Sequence, residues 1–380
     1  MPESTIEWTD YTFNPWLGCE HATYTDRNGI EKPHPGCAHC YAENQADTRL
    51  GKVLWGPEGT RKITTDGYWK GPLAWNESGE GENSTAIDTR KVFCGSFCDI
   101  FEDWPGPIID CKGNGLYHCF FENHLHSGPI PKVHGAIGPY CSRCERHTIS
   151  LTMNDVRRRL GKLIRETRSL LWLLLTKRPQ NAPKMMREMG IANLVNVAVG
   201  CSISDQETAD SLLPLLLKCR EVAPLLFVSA EPLLASIDLT RISIATSGKG
   251  SDFPRGLPHV QKTNVLRTTK HRPPIDWIIA GGESGPSARP CSVTWLKSLA
   301  DQCAFHRTPF FCKQLGANIT GLKTDGLEHD KVASILGSTY RLLNRKGADP
   351  SEWPPDLRIR QFPNYSIPSD QQPRVKEQTP

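Results

Sequence analysis

Six runs of apolar residues between residues 91 and 316 set the strongest limit on how this chain folds. They are "KVFCGSFCD" (91–99), "LLWLLLTKR" (170–178), "NVAVGCSIS" (196–204), "PLLFVSAEP" (224–232), "DWIIAGGESG" (276–285) and "PFFCKQLG" (309–316). Each apolar core is continuous rather than alternating, as in strands buried on both faces of a parallel sheet. Helical patterns lie between several of them. "MNDVRRRLGKLIRET" places Val156, Leu160, Leu163 and Ile164 on one face, with Asn154 or Asp155 as its cap. "DQETADSLLPLLLKC" and "SVTWLKSLADQCAFH" behave similarly. Strand–helix alternation repeated this often predicts an α/β fold, either a barrel-like closure or an open doubly wound sheet. In both, polar residues just after the strands line the site. Here these are Ser96, Asp99, Lys177, Arg178, Ser202, Glu231, Glu283 and Ser284.

Three stretches break the rhythm. Residues 104–147 are rich in Gly, Pro, His and Cys and show no helical or strand period, residues 242–274 read as a basic, Pro/Gly-rich loop, and residues 364–380 have a disordered composition. The expected division is an N-terminal segment with the start of the winding (1–103), the Cys-rich insertion (104–147), the rest of the winding (148–363) and a disordered tail (364–380). The longest apolar stretch, "SLLWLLLT" (169–176), is too short to cross a bilayer, and "MPESTIEWTD" has no signal-peptide pattern. A cytoplasmic protein without a membrane partner is expected. Its 14 cysteines are then read first as metal ligands where they cluster. The net charge of +4 permits a polyanionic partner without demanding one.

Cys19, Cys37 and Cys40 form a C-x17-C-x2-C pattern. A structural zinc site needs four ligands, so His21, His34 or His39 would have to complete it. Three thiolates also suit a four-iron cluster with one iron left open, and metal-free buried thiols are a third reading. In the insertion, Cys111, Cys119, Cys141 and Cys144 suggest a zinc knob, because so little apolar content could hardly fold without a metal. His118, His134 or His147 could replace a thiol there, and a second iron–sulfur cluster or a metal-free loop is the alternative. Arg143, Arg146 and His147 beside the knob, with "RNGIEK" and "KTNVLRTTKHR", point to DNA or RNA as a partner. The run Arg157–Arg158–Arg159 reads as a solvated helix face.

Several segments together resemble the phage gene-product 37/68 family, whose members carry a three-cysteine motif and are similar to radical S-adenosylmethionine (SAM) enzymes. They are "STIEWTDYTFNPWLGC", "PGCAHCYAE", "VFCGSFCDIFED", "LLTKRP", "VAVGCSISDQETAD", "FVSAEPLLASIDL", "DWIIAGGESGPSARPC" and "PFFCKQLG". The resemblance implies a partial (β/α) barrel of the radical SAM type with the Cys/His-rich metal-binding insertion. It implies a [4Fe-4S] cluster on Cys19, Cys37 and Cys40, SAM bound at the open iron, and cleavage to methionine and a 5′-deoxyadenosyl radical that abstracts hydrogen. An electron-donor protein is implied with it. Such enzymes usually space the cysteines as C-x3-C-x2-C, and here "EHATYTDRNGIEKPHPG" intervenes. A loop can be lengthened at small entropic cost.

On that resemblance, Ser96 and Asp99 would take the SAM ammonium, Lys177 and Arg178 its carboxylate, and Ser202 or Glu231 its ribose. The alternative pairs Asp99 with Lys177 and leaves Arg178 as a strand cap. In "GGESGPSARP", Glu283 would bind substrate or SAM, and Arg289 a phosphate or carboxylate; a tight rim turn is the rival reading. Cys98 and Cys201 are candidates to return a hydrogen atom, although they, with Cys94 and Cys312, also suit small buried hydrophobes. The expected function is radical modification of a nucleobase in nucleic acid. The alternatives are a non-catalytic zinc-stabilised nucleic-acid-binding protein and a radical enzyme acting on a peptide or small molecule.

Overall fold

A computed structural model of the chain describes residues 4–77, 90–118, 125–131, 136–142, 145–246, 259–268, 273–321, 332–336 and 339–364. All six apolar runs form strands of one parallel sheet: β2 (Arg90–Cys94), β3 (Leu170–Thr176), β4 (Val197–Ile203), β5 (Leu225–Ala230), β6 (Trp277–Gly281) and β7 (Phe310–Gln314). A seventh strand, β1 (Tyr11–Phe13), pairs parallel to β2. Three residues long and flanked by "NPW", it lacks the apolar run that announces the others.

The strands stand side by side in chain order, with no reversal. A doubly wound sheet would reverse direction part-way, so the winding is that of a barrel. The curl follows from one residue. In a flat sheet β2 and β6 would stand about 19 Å apart, yet the Trp8 ring lies 4.7 Å from Phe93 on β2 and 6.3 Å from Trp277 on β6. Because β1 and β7 do not pair with each other among the described residues, the sheet is an open half-barrel.

Its two faces carry separate cores. The convex face (Val92, Trp172, Val199, Val228 and Ile278 among others) packs under the connecting helices α1 (Met153–Glu166), α2 (Ala182–Glu188), α3 (Gln206–Lys218) and α4 (Val293–His306). The concave face carries Phe93, Leu173, Ala198, Phe227, Trp277, Ile279 and Phe311, which close around Trp8 as an apolar plug. Gly200 is needed there, since a Cβ would sit 2.3 Å from the Phe227 ring. Beyond the plug, the strand ends turn polar and form a mouth.

Two sequence expectations change at α1. Its cap is Thr152, which shares a capping box with Asp155, rather than Asn154 or Asp155 itself. Arg157 does not lie on a solvated face: it is 2% exposed and donates to the carbonyls of Ile100 and Glu102. Arg158 pairs with Asp155, and Arg159 lies over the Trp69 ring and pairs with Asp66.

The insertion has regular structure that its sequence does not announce. Gly115–His118, Leu125–Gly128, Ile137–Cys141 and Arg146–Ser150 join a second sheet that runs through Ile108–Ile109 and Arg61–Ile63 back to Trp16–Leu17. These strands are short, and the pairing of the last two is interrupted by a register shift around Pro139, so no period of two builds up. The 242–274 stretch likewise contains an antiparallel hairpin, Ile242–Thr246 with His259–Thr263. Residues 365–380, most of the expected disordered tail, lie outside the described residues.

Candidate functional site

The long spacing between Cys19 and Cys37 is filled by a hairpin, Thr23–Thr25 with Glu31–Pro33. It is clasped to α3: Tyr24 Oη and Lys32 Nζ donate to Glu207 at 3.1 and 2.6 Å, and Ser211 Oγ donates to the Thr25 carbonyl at 2.7 Å. The chain then enters the C-x2-C loop through His34, which is 1% exposed. Its Nε2 bonds the Ser202 carbonyl at the end of β4 (3.1 Å), while Nδ1 accepts the Gly36 N–H (3.0 Å). This pattern requires the neutral ring, and burial, with Lys177 nearby, holds its pKa down at about 3.

Three further contacts fasten the loop. Arg289 Nη1 donates to the Pro35 carbonyl at 3.0 Å, His39 Nδ1 bonds Glu283 at 3.2 Å, and Tyr41 Oη donates to the Ser96 carbonyl at 2.8 Å. Glu283 also takes Arg289 in a fork, Nη2 at 2.6 Å and Nε at 3.0 Å. Burial would raise its pKa, but the Arg289 bonds outweigh that and lower it. The Cys37–Cys40 loop therefore spans the mouth from the end of β2 to the end of β6.

Cys19 enters from the other side. The Gly18 N–H donates to the Phe97 carbonyl at 3.1 Å, which sets Cys19 beside the turn after β2. Arg178 Nη1 lies 3.8 Å from Cys19 Sγ and 3.2 Å from Asp99 Oδ2, and Nη2 donates to the Glu20 carbonyl at 2.9 Å. Asp99 also accepts from Thr176 Oγ1 (2.7 Å) and the Lys177 N–H (3.1 Å). Behind them, Arg61 grips Glu102 through Nε and Nη2 at 2.7 and 2.8 Å, both residues fully buried. Glu102 in turn accepts the Glu20 N–H at 2.5 Å. Burial and the Glu102 charge hold the Cys19 thiol pKa well above its usual value, against the pull of Arg178.

Lys177 stands among these groups. Burial would lower its pKa, but the charges of Cys37, Cys40, Asp99 and Cys19 together raise it. Its stem reaches Gly36, where a Cβ would lie 3.4 Å from Lys177 Cε. Its ammonium makes no hydrogen bond among the described residues.

The expected site residues thus divide. Ser96, Asp99, Lys177, Arg178, Ser202, Glu231 and Glu283 all come to the mouth. Several are committed to the protein itself: Asp99 to Arg178, Ser96 to Asn14 (2.9 Å), Ser202 to the Glu231 carbonyl (3.2 Å) and Glu283 to Arg289. Arg178 bonds Asp99 rather than merely capping its strand. Cys201 faces the helix-covered core and not the mouth. Cys98 is buried in that same core, although its backbone adjoins Cys19. Burial holds both thiols far from ionisation.

In the insertion, Cys119 and Cys144 lie outside the described residues, as do Arg143 and His134. Cys111 and Cys141 are not brought together. Cys111 sits in the turn before Gly115, whereas Cys141 pairs with Arg146, three residues before the Ile149 that faces His118. The two ends are about 20 Å apart at ~3.3 Å per residue. Among the described residues, Cys19, Cys37 and Cys40 included, no group of three or more His, Cys, Asp or Glu side chains is arranged to hold a metal ion.

Sequence reasoning missed His34 as a structural pin, as well as Glu102, Ser229 and Lys313. Lys313 was legible as the polar residue closing "FFCKQ", and Glu102 as a carboxylate three residues after Asp99.

A family model described as "Protein of unknown function (DUF5131)" matches residues 3–106 and 149–341. The chain belongs to that family. The match passes over residues 107–148, so the family's shared part is the half-barrel with its cysteine loop, and the insertion is an addition to it. No curated protein and no solved structure matches the chain. No helix among the described residues is long and apolar enough to cross a membrane.

Proposed function

We propose that the mouth holds a four-iron cluster on Cys19, Cys37 and Cys40, and that the protein is a SAM-dependent radical enzyme modifying a nucleobase in nucleic acid. The observation that carries this reading is the Lys177 ammonium, half-buried at the end of β3 and without a hydrogen-bond partner among the described residues, its stem against Gly36 beside Cys37. The residues fit the group by donor chemistry: a cluster on three thiolates is anionic, and Lys177 and Arg178 offer the opposing charge. A cluster bound there would supply the electron for reductive cleavage of SAM.

The chain's own residues have defined tasks in this reading. Lys177 and Arg178 balance negative charge at the mouth. Asp99 fixes Arg178 and the end of β3. The loop pinned by His34, Arg289 and Tyr41 roofs the strand ends and keeps water from the apolar plug beneath. An electron-donor protein and DNA or RNA are the partners this reading entails.

The test uses protein purified without oxygen. Iron, sulfide and zinc are measured per chain, then 5′-deoxyadenosine released from SAM after chemical reduction, beside a variant with Cys19, Cys37 and Cys40 changed to alanine. About four irons, with nucleoside release abolished in the variant, supports the proposal. Zinc alone, without SAM cleavage, overturns it in favour of a structural clasp.

A further inference from the structure

The far side of the mouth carries a charged pair of its own. Asp99, Glu102, Arg178 and Cys19 gather over the ends of β2 and β3, and the Cys37–Cys40 loop crosses above the mouth. Across the sheet, above the rings of Phe227, Trp277 and Phe311, the concave face carries Ser229, Glu231 and Lys313. Lys313 Nζ lies 3.2 Å from Glu231 Oε1, and Ser229 Oγ donates to Glu231 Oε2 at 3.0 Å. This pair links β5 to β7 over the strand between them. It can do so because β6 carries Gly281 at that level, where a Cβ would stand 3.2 Å from Glu231 Oε1. The pair is not sealed: the Glu231 and Lys313 side chains remain 14% and 22% exposed, toward the mouth.

An aromatic ring stands by the same opening. Tyr41 is 53% exposed, held by its hydroxyl on the Ser96 carbonyl and edge-on to Phe97 at 5.9 Å. The Glu231 carboxylate is within its electrostatic range. A charged acceptor and a charged donor side by side, near an open ring face, match a flat ligand with an N–H next to a C=O on one edge.

We propose that Glu231 and Lys313 read the lactam edge of a nucleobase, as in uracil, thymine or guanine, with Tyr41 as its stacking face. The inference deepens the proposed function and rests on the mouth being the reaction site. It moves Glu231 from the cofactor to the substrate. Glu231 accepts the ring N–H, Lys313 donates to the carbonyl, and Tyr41 contributes stacking that is indifferent to the edge.

The experiment is equilibrium binding by ligand-observed NMR, with uridine 5′-monophosphate and 3-methyluridine 5′-monophosphate as probes and glycine as a zwitterionic control. The wild-type protein is expected to prefer the unmethylated nucleotide by about tenfold or more, the low end of what a paired polar edge discriminates. Glu231→Gln should remove that preference. So should Glu231→Gln with Lys313→Met, which leaves no unpaired charge and guards against a folding defect. Tyr41→Ala should weaken both nucleotides alike, whereas Tyr41→Phe should retain the stacking. Equal binding of the two nucleotides by the wild-type protein, an undiminished preference in the Glu231→Gln variant, or tighter binding of glycine overturns the inference. Failure of the radical reading is separately visible: discrimination persists while SAM is not cleaved.

Discussion

Residues 19–40 and the inserted stretch 107–148 both carry clustered cysteines in segments poor in apolar residues. The first is tied by hydrogen bonds to the strand ends of the half-barrel, whereas the second meets its core through Ile108 and Leu116. The C-x2-C loop has four separate anchors, at His34, Pro35, His39 and Tyr41, and they reach the ends of three strands. Of the inserted cysteines, Cys111 and Cys141 are described, and the register of the short-stranded sheet sends them to opposite ends. Cysteine count is the same kind of signal in both. What differs is the anchoring: the loop that carries Cys37 and Cys40 is fastened to the strand ends at several points.

The sharpest way to break this contrast is iron content. Cys37→Ser should lower iron from about four per chain to near none, whereas Cys141→Ser should leave it unchanged, by colorimetric assay of anaerobically purified protein. If the Cys141 variant lost iron as well, the insertion would be part of the centre and the contrast would collapse.

The next effect concerns the joint between the two regions. Arg61 belongs to the second sheet, and its partner Glu102 accepts the N–H of Glu20, next to Cys19. Glu102→Ala leaves a buried guanidinium unpaired and should cost about 3–5 kcal/mol in urea unfolding. Replacing both, Arg61→Met with Glu102→Leu, should cost much less, because no charge is then stranded. A small loss in the single variant would mean that the sheet and the cysteine segment are joined elsewhere.

The half-barrel could be read from the chain because buried parallel strands need continuous apolar runs, and six of its seven strands have one. β1 could not, since three residues between polar flanks carry no period. The candidate residues at strand ends were legible by position, yet their partners were not. Asp99 with Arg178, and Glu283 with Arg289 and His39, depend on which strands become neighbours and on where a distant loop lands. His34 shows the limit most clearly. Its role comes from a carbonyl on β4, 168 residues away, and nothing in "EKPHPG" distinguishes it from His21 or His39.

His34 also gives a pH signature for the anchored loop. Its folded pKa of about 3 lies below the ordinary imidazole value of about 6.5. The unfolded chain therefore binds the proton first, so the contribution of His34 is complete above pH 6.5 and falls on acidification through that window. The slope approaches ~1.4 kcal/mol per pH unit for one such group. In His34→Gln this part of the slope should vanish, as measured by denaturant unfolding at a series of pH values. An unchanged slope would mean that the ring is not buried neutral, and the strongest anchor of the loop would be lost from the comparison.

The smallest expected effect lies on the inserted side. Cys111 is exposed, in a turn organised by its neighbour Asp110. The Asp110 carboxylate accepts from the N–H groups of Lys112 and Asn114 at 2.8 and 2.9 Å and from Ser127 Oγ at 2.7 Å. Those bonds hold its pKa at about 2 despite partial burial, which acts in the opposite direction. The turn is thus complete without the thiol. Cys111→Ser should change stability by less than about 0.5 kcal/mol and leave zinc content as it was, while Asp110→Ala should cost about 1 kcal/mol through loss of the turn's hydrogen bonds. A Cys111 variant that lost zinc would show that Cys111 holds a metal within the insertion, and the contrast between an anchored and an unanchored cysteine segment would have to be withdrawn.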